Sequence, residues 1–162
     1  MPVDVATPSA ARRWCLLTLA ALWIGGFTVY AVLVVHVAAS VNESHTPGGF
    51  VTRQVTWWLN WLAVALAVVL AREWLARRGA KGWRGRARWG FVASLVALAA
   101  LFALHPWVDS HLDPVAREVR DGDAFYIAHR VYLWVAAVHW LGTVWFVLSV
   151  VEDWMRRDGK TP

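Results

Sequence analysis

Four long apolar stretches, separated by charged or turn-forming clusters, constrain this chain of 162 residues more than any other feature. Inside a bilayer no water pairs with the backbone, so a run of about 20 apolar residues satisfies its amides only as a helix. The stretches are residues 14–39, 52–75, 89–104 and 125–151. They predict an all-α fold, a transmembrane four-helix bundle. The short connections predict an up-down-up-down order. The composition agrees, with 59% apolar residues and only 17% charged ones, gathered in clusters. The 13 tryptophans lie mostly near the ends of the stretches, as interfacial belts do.

Residues 1–13 read as a disordered cytoplasmic N-terminus, residues 14–151 as the transmembrane domain, and residues 152–162 as a cytoplasmic tail. The first stretch is too long for a signal-peptide core of about 7–15 residues and is read as a retained span. Residues 40–51 form a loop with a Pro-Gly-Gly turn signal at 47–49. His105-Pro106 should end the third span, because proline disfavours helix in the residue before it. Asp113-Pro114 reads as the start of a short surface helix reaching Arg120, and Asp123 as the N-cap of the last span.

The charges orient the bundle. Arg12, Arg13, Arg72, Arg77, Arg78, Lys81, Arg84, Arg86, Arg88, Arg156, Arg157 and Lys160 would lie on one side; Arg53, Arg117, Arg120 and Arg130 on the other. Twelve of the 16 Lys and Arg residues on one side predict a bacterial inner-membrane protein with both termini in the cytoplasm. The net charge of +5 is then topological and points away from nucleic acid. The basic 72–88 loop would meet anionic lipid headgroups. The single cysteine, Cys15, excludes an intramolecular disulfide and a cysteine-cluster metal site.

Helical periodicity puts Gly25, Thr28, Val32 and His36 on one stripe of the first span, and Arg53, Thr56 and Asn60 on one of the second. His129, Tyr132, Ala136, His139 and Thr143 share a stripe of the fourth. Polar groups in hydrocarbon need partners, so these stripes should face one another. Thr28, Arg53, Thr56, Asn60, Tyr132 and His139 make up the expected polar core. Gly25 and Gly26 suit a close helix contact, and a homodimer by the same means. The third span has no polar residue between Ser94 and His105, which predicts a peripheral position.

None of the six histidines is on the basic side. At about 1.5 Å of rise per residue, His36 lies about 5 Å and His129 about 6 Å below the outer ends of their spans, with His105 at the end of its own. His139 lies about 21 Å down, too deep to share an ion with them. Thr28 is its expected hydrogen-bond partner, with Asn60 as the alternative. His36, His105 and His129, with His45 and His111 in adjoining loops, are a candidate copper or zinc set. His36 and His129 alone are a candidate pair for a b-type haem. The competing reading is interfacial histidines bonded to water and loop carbonyls, since no HExxH or His-x-His spacing is present. His139 is either a proton-accepting group, for instance from a quinol headgroup, or a structural hydrogen-bond partner. Arg53 either holds an anionic group or pairs with an acid of the outer loops. No phosphate loop, GxSxG or paired intramembrane carboxylate points to an enzyme.

Residues 25–60 (GGFTVYAVLVVHVAASVNESHTPGGFVTRQVTWWLN), with HPWVDSHLDP at 105–114 and FYIAHRVYLWVAAVHWL at 125–141, resemble an uncharacterised group of small bacterial four-helix membrane proteins. That group is distantly similar to the transmembrane-protein-205-like family of unknown function. The resemblance implies Gly25, Gly26, Phe27, Tyr30, Thr52, Arg53, Thr56, Asn60, His129, Arg130, Tyr132 and Trp140 as positions of interest, and no activity. Trp23-Ile24-Gly25-Gly26 is also similar to the first helix of copper-resistance D type membrane proteins, but this chain has half the spans that family implies and only two methionines. The primary expectation is therefore a structural or accessory membrane protein. The alternative is a metal- or haem-binding redox or copper-handling component.

Overall fold

The computed structural model describes residues 8–34, 37, 45–77, 85–116 and 118–159, and at 45–49 and 86 the backbone alone. Helix α1 (Ala10–Val29) continues as a π-helical turn at Tyr30–Val34. Helices α2 (His45–Arg77) and α3 (Arg86–Asp109) follow. A two-residue hairpin, β1 (Leu112–Asp113) with β2 (Glu118–Val119), leads into α4 (Gly122–Asp158). Within these elements Ala10–Val34, Phe50–Arg77, Ala87–Asp109 and Gly122–Asp158 are each long and apolar enough to cross a bilayer. The chain is an all-helical, multi-pass membrane protein.

Several boundaries differ from expectation for local reasons. Helix α1 starts ahead of residue 14 because the Ser9 side chain accepts from the Arg12 amide and caps the first turn. Helix α2 begins at His45 and absorbs the Pro-Gly-Gly turn signal. Proline is tolerated in a first helical turn, where its missing N–H has no acceptor to serve. Helix α3 does not stop at His105-Pro106 but runs one turn further to Asp109. The Ser110 amide donates to the Pro106 carbonyl at 2.9 Å and the Ser110 hydroxyl to Trp107 O at 2.7 Å, so the last turn is closed behind the proline.

The expected surface helix after Asp113 is replaced by the hairpin, with Leu112 opposite Val119 and Asp113 opposite Glu118. Asp113 does accept from two amides, those of Val115 (2.9 Å) and Ala116 (3.0 Å), but the turn it makes folds back instead of propagating. The N-cap of α4 is Asp121, extended at φ −140° and accepting from the Ala124 amide at 3.0 Å. Asp123 sits in the first turn instead, where its charge suits the helix dipole.

The third span is not peripheral. Helices α3 and α4 make the closest crossing among the described elements, at Gly90, Ser94 and Gly142. A Cβ on Gly142 would lie 2.9 Å from both Gly90 O and Ser94 N, and one on Gly90 would lie 3.1 Å from Gly142 O. Small residues allow this approach, and in hydrocarbon close packing is what holds helices together. Gly25 and Gly26 play no such part within the chain: nothing lies within 4 Å of a Cβ on Gly25, and only the tip of Leu59 approaches Gly26. The main core joins Leu16, Trp23, Leu66, Leu70, Phe91, Phe146 and Val150 from all four helices. A smaller cluster of Leu101, Tyr132 and Ala136 lies above it, beneath the cleft described next.

Candidate functional site

At one end of the bundle a small cleft opens between α2, α3, α4 and the hairpin. Helix α2 contributes Thr52, Arg53 and Thr56; α3 contributes His105, Val108 and Asp109; α4 contributes Phe125, His129 and Tyr132; β1 contributes Leu112. The extra turn of α3 beyond Pro106 is what carries Asp109 into this group.

Asp109 organises the charges. Its Oδ2 accepts from Arg53 Nε at 3.0 Å, and His105 Nε2 stands 3.7 Å from the same oxygen. Its Oδ1 is buried and has no hydrogen-bond partner. A buried carboxylate oxygen left unmatched costs free energy, so the cleft is short of one donor. Across it, His129 is half-buried, with its ring stacked on Phe125 at 5.8 Å. Thr56 is buried and turns its hydroxyl back to its own helix, at 2.8 Å from Thr52 O and 3.0 Å from Arg53 O. At the cleft floor Tyr132 and Asn60 satisfy each other: Asn60 Nδ2 donates to the phenol oxygen at 2.9 Å, and the phenol donates to Asn60 Oδ1 at 3.2 Å.

His139 is deeper and has different neighbours from those expected. Thr28 is exposed on the outer face of α1 and donates to Ile24 O of its own helix at 2.7 Å. The partner of His139 is Ser94 of α3. Nδ1 lies 2.9 Å from Ser94 O and 3.0 Å from Ser94 Oγ, which in turn lies 2.9 Å from Thr143 Oγ1. A carbonyl only accepts, so Nδ1 carries the proton. Nε2 is then a buried lone pair without a partner. The Trp23 ring stands edge-on to the imidazole at 4.5 Å, and its Nε1 donates to Leu59 O at 3.1 Å.

Two of the three metal candidates are brought together. His105 and His129 line the same cleft; His36 and the side chain of His45 lie outside the described residues. His111 is in the turn after α3, 6.2 Å from the Trp107 ring. Among the described residues no three His, Cys, Asp or Glu side chains converge to hold an ion. Of the positions implied by the resemblance, Tyr30 is buried against Phe27, Arg130 lies over the Tyr126 ring on the surface, and Trp140 Nε1 is buried without a partner.

The opposite end holds a charge network that sequence reasoning treated only as topology. Glu73 is fully buried and divides its carboxylate, Oε1 to Arg12 Nε and Oε2 to Arg77 Nη1. Arg77, 1% exposed, also donates through Nε to Asp153 Oδ2 at 2.8 Å, and Arg157 reaches the same oxygen at 3.0 Å. Arg13 grips Asp158 through two bonds of 2.5 and 2.7 Å. Arg13 and Arg77 both approach the Trp154 ring, at 5.4 and 5.8 Å. The start of α1 is thereby fastened to the ends of α2 and α4. The i,i+4 pairs Glu73–Arg77 and Asp153–Arg157 were the sequence signal for it.

No protein family, curated protein or solved structure shows significant similarity to the chain.

Proposed function

We propose that this is an accessory protein of the bacterial cytoplasmic membrane, with its helices running up-down-up-down and both termini inside, that holds the polar headgroup of a membrane-borne ligand in the outward-facing Asp109 cleft. The orientation rests on the positive-inside bias of the sequence. In that orientation the Glu73 network lies at the cytoplasmic surface beside the basic 72–88 loop and its anionic lipids. The single observation carrying the ligand reading is the buried Asp109 Oδ1, an acceptor without a donor in a cleft walled by His105, His129 and Tyr132.

The test is cysteine labelling. Thr52→Cys in a Cys15→Ser background places one thiol on the cleft wall. A membrane-impermeant maleimide should label it from outside the cell. Labelling should slow when the delipidated protein is reconstituted with total bacterial lipid extract instead of pure phosphatidylcholine. Labelling from the cytoplasmic side alone overturns the orientation; equal rates in the two lipids overturn the ligand reading.

A further inference from the structure

We propose that Arg12, where the charge network of the bundle's other end reaches the surface in the first turn of α1, binds the phosphate of an acidic membrane lipid. The site is independent of the Asp109 cleft and of which side of the membrane faces the cytoplasm.

The network is short of one anion. From Arg12 the charges alternate through Glu73, Arg77 and Asp153 to Arg157. Arg13 and Asp158 pair beside them. Among the described residues, four guanidinium groups therefore share three carboxylates. Next to hydrocarbon an excess charge needs a counter-ion, because little water is there to solvate it. Arg12 is where that counter-ion can bind. The carboxylate it meets, Glu73, is divided with Arg77. Its Nε takes the bond to Glu73, its Nη2 is buried without an acceptor, and its Nη1 is neither bonded nor buried. The side chain is 26% exposed, so a ligand reaches Nη1 from outside and needs no cavity.

The helix adds to the demand. Arg12 and Arg13 stand in the first turn of α1, which holds no acidic residue. That end of a helix carries partial positive charge and is stabilised by an anion, not by further cations.

The surroundings identify the source of the phosphate. Trp14, next in sequence, is 69% exposed, and exposed indole rings sit at the level of the lipid headgroups. Arg12 shares that level. Further along α1, Leu17 and Leu22 are exposed and offer apolar surface to acyl chains. A guanidinium holds a phosphate through charge-assisted hydrogen bonds. A zwitterionic lipid brings a cation with its phosphate and leaves the excess charge in place; an acidic lipid cancels it.

The full chain, purified in mild detergent, is titrated with phosphatidylglycerol, phosphatidylcholine or inorganic phosphate, and bound molecules are counted by native mass spectrometry. A single phosphatidylglycerol should be retained at a concentration about fivefold or more below that needed for phosphatidylcholine. Arg12→Gln should weaken its retention about tenfold, the loss expected for one charge-assisted hydrogen bond. Arg156→Gln removes the same charge from an exposed pair at the same end and should weaken it about twofold at most. Equal losses in the two variants reduce the effect to bulk charge and overturn the site. Equal affinity for the two lipids overturns it too, as does retention of inorganic phosphate without phosphatidylglycerol. Because Arg12 also holds Glu73, thermal unfolding of the unaltered protein decides the matter if Arg12→Gln does not fold. Phosphatidylglycerol should raise the melting temperature saturably, while phosphatidylcholine and phosphate should not; no rise, or the same rise with all three, overturns the proposal.

Discussion

Gly90 and Gly142 stand opposite each other where α3 crosses α4, and a methyl group built on Gly142 would lie 2.9 Å from the Gly90 carbonyl oxygen. Both atoms hemming it in, Gly90 O and Ser94 N, belong to backbone, so a side chain there forces the helices apart. Gly142→Ala should destabilise the bundle by about 1–3 kcal/mol, the usual range for overpacking. Gly25→Ala should not destabilise it, since its Cβ meets open space and alanine is the better helix former. Thermal unfolding in mild detergent measures both; an equal response at the two positions would contradict the crossing.

Separating helices at that crossing would also disturb His139, because Ser94 serves both features. Ser94→Ala removes the hydroxyl between His139 and Thr143 and should cost about 0.6 kcal/mol, the mean for interhelical hydrogen bonds in membranes, and no more than about 1.7. Thr28→Val should be silent, because Thr28 bonds only its own helix. A loss at Thr28 equal to that at Ser94 would restore the pairing expected from sequence.

Glu73 is the sole carboxylate between Arg12 and Arg77 among the described residues. Glu73→Gln leaves a buried guanidinium short of charge and should cost about 3–5 kcal/mol. Glu152→Gln, which breaks an exposed i,i+4 pair with Arg156, should produce no measurable change. Chemical unfolding of the two variants side by side discriminates a buried clasp from surface decoration.

The hairpin has its own pH signature. The Ala116 and Val115 amides, and then Arg120, hold the Asp113 carboxyl below the ordinary aspartate range. Asp113 ionises more readily folded than unfolded, so its contribution is complete above the ordinary aspartate pKa and is lost as pH falls through the depressed one. Amide exchange at Val115 and Ala116 should stay slow through the usual carboxylate range and quicken only in stronger acid. In Asp113→Ala it should be fast at every pH.

The four helices were legible because apolar length alone decides them, as at Ala10–Val34 or Gly122–Asp158. Which residues meet across helices was not, because a polar stripe fixes a face and not its partner. Thr28 lies on such a stripe yet turns outward, while Ser94, alone in an alanine-rich span, faces the histidine. The small-residue pair Gly90 and Ser94, four apart, was the available sign that α3 is central. Asp109 was missed because proline normally closes a helix, and here Pro106 falls where one further turn still finds partners in Arg53 and His105.

Arg13 and Asp158 are 145 positions apart, so the acid emerges from the ribosome long after the arginine. Glu73 is made earlier but still after α1 and most of α2. While the first span is being made, neither Arg12 nor Arg13 yet has the acid it pairs with. Arg12 can pair once α2 has been made, and Arg13 only when the last helix has arrived. The two residues fasten the first span at different times, Arg12 to the second helix and Arg13 to the last. A substitution at Arg13 would be felt only at the end, as a bundle whose first and last helices do not close.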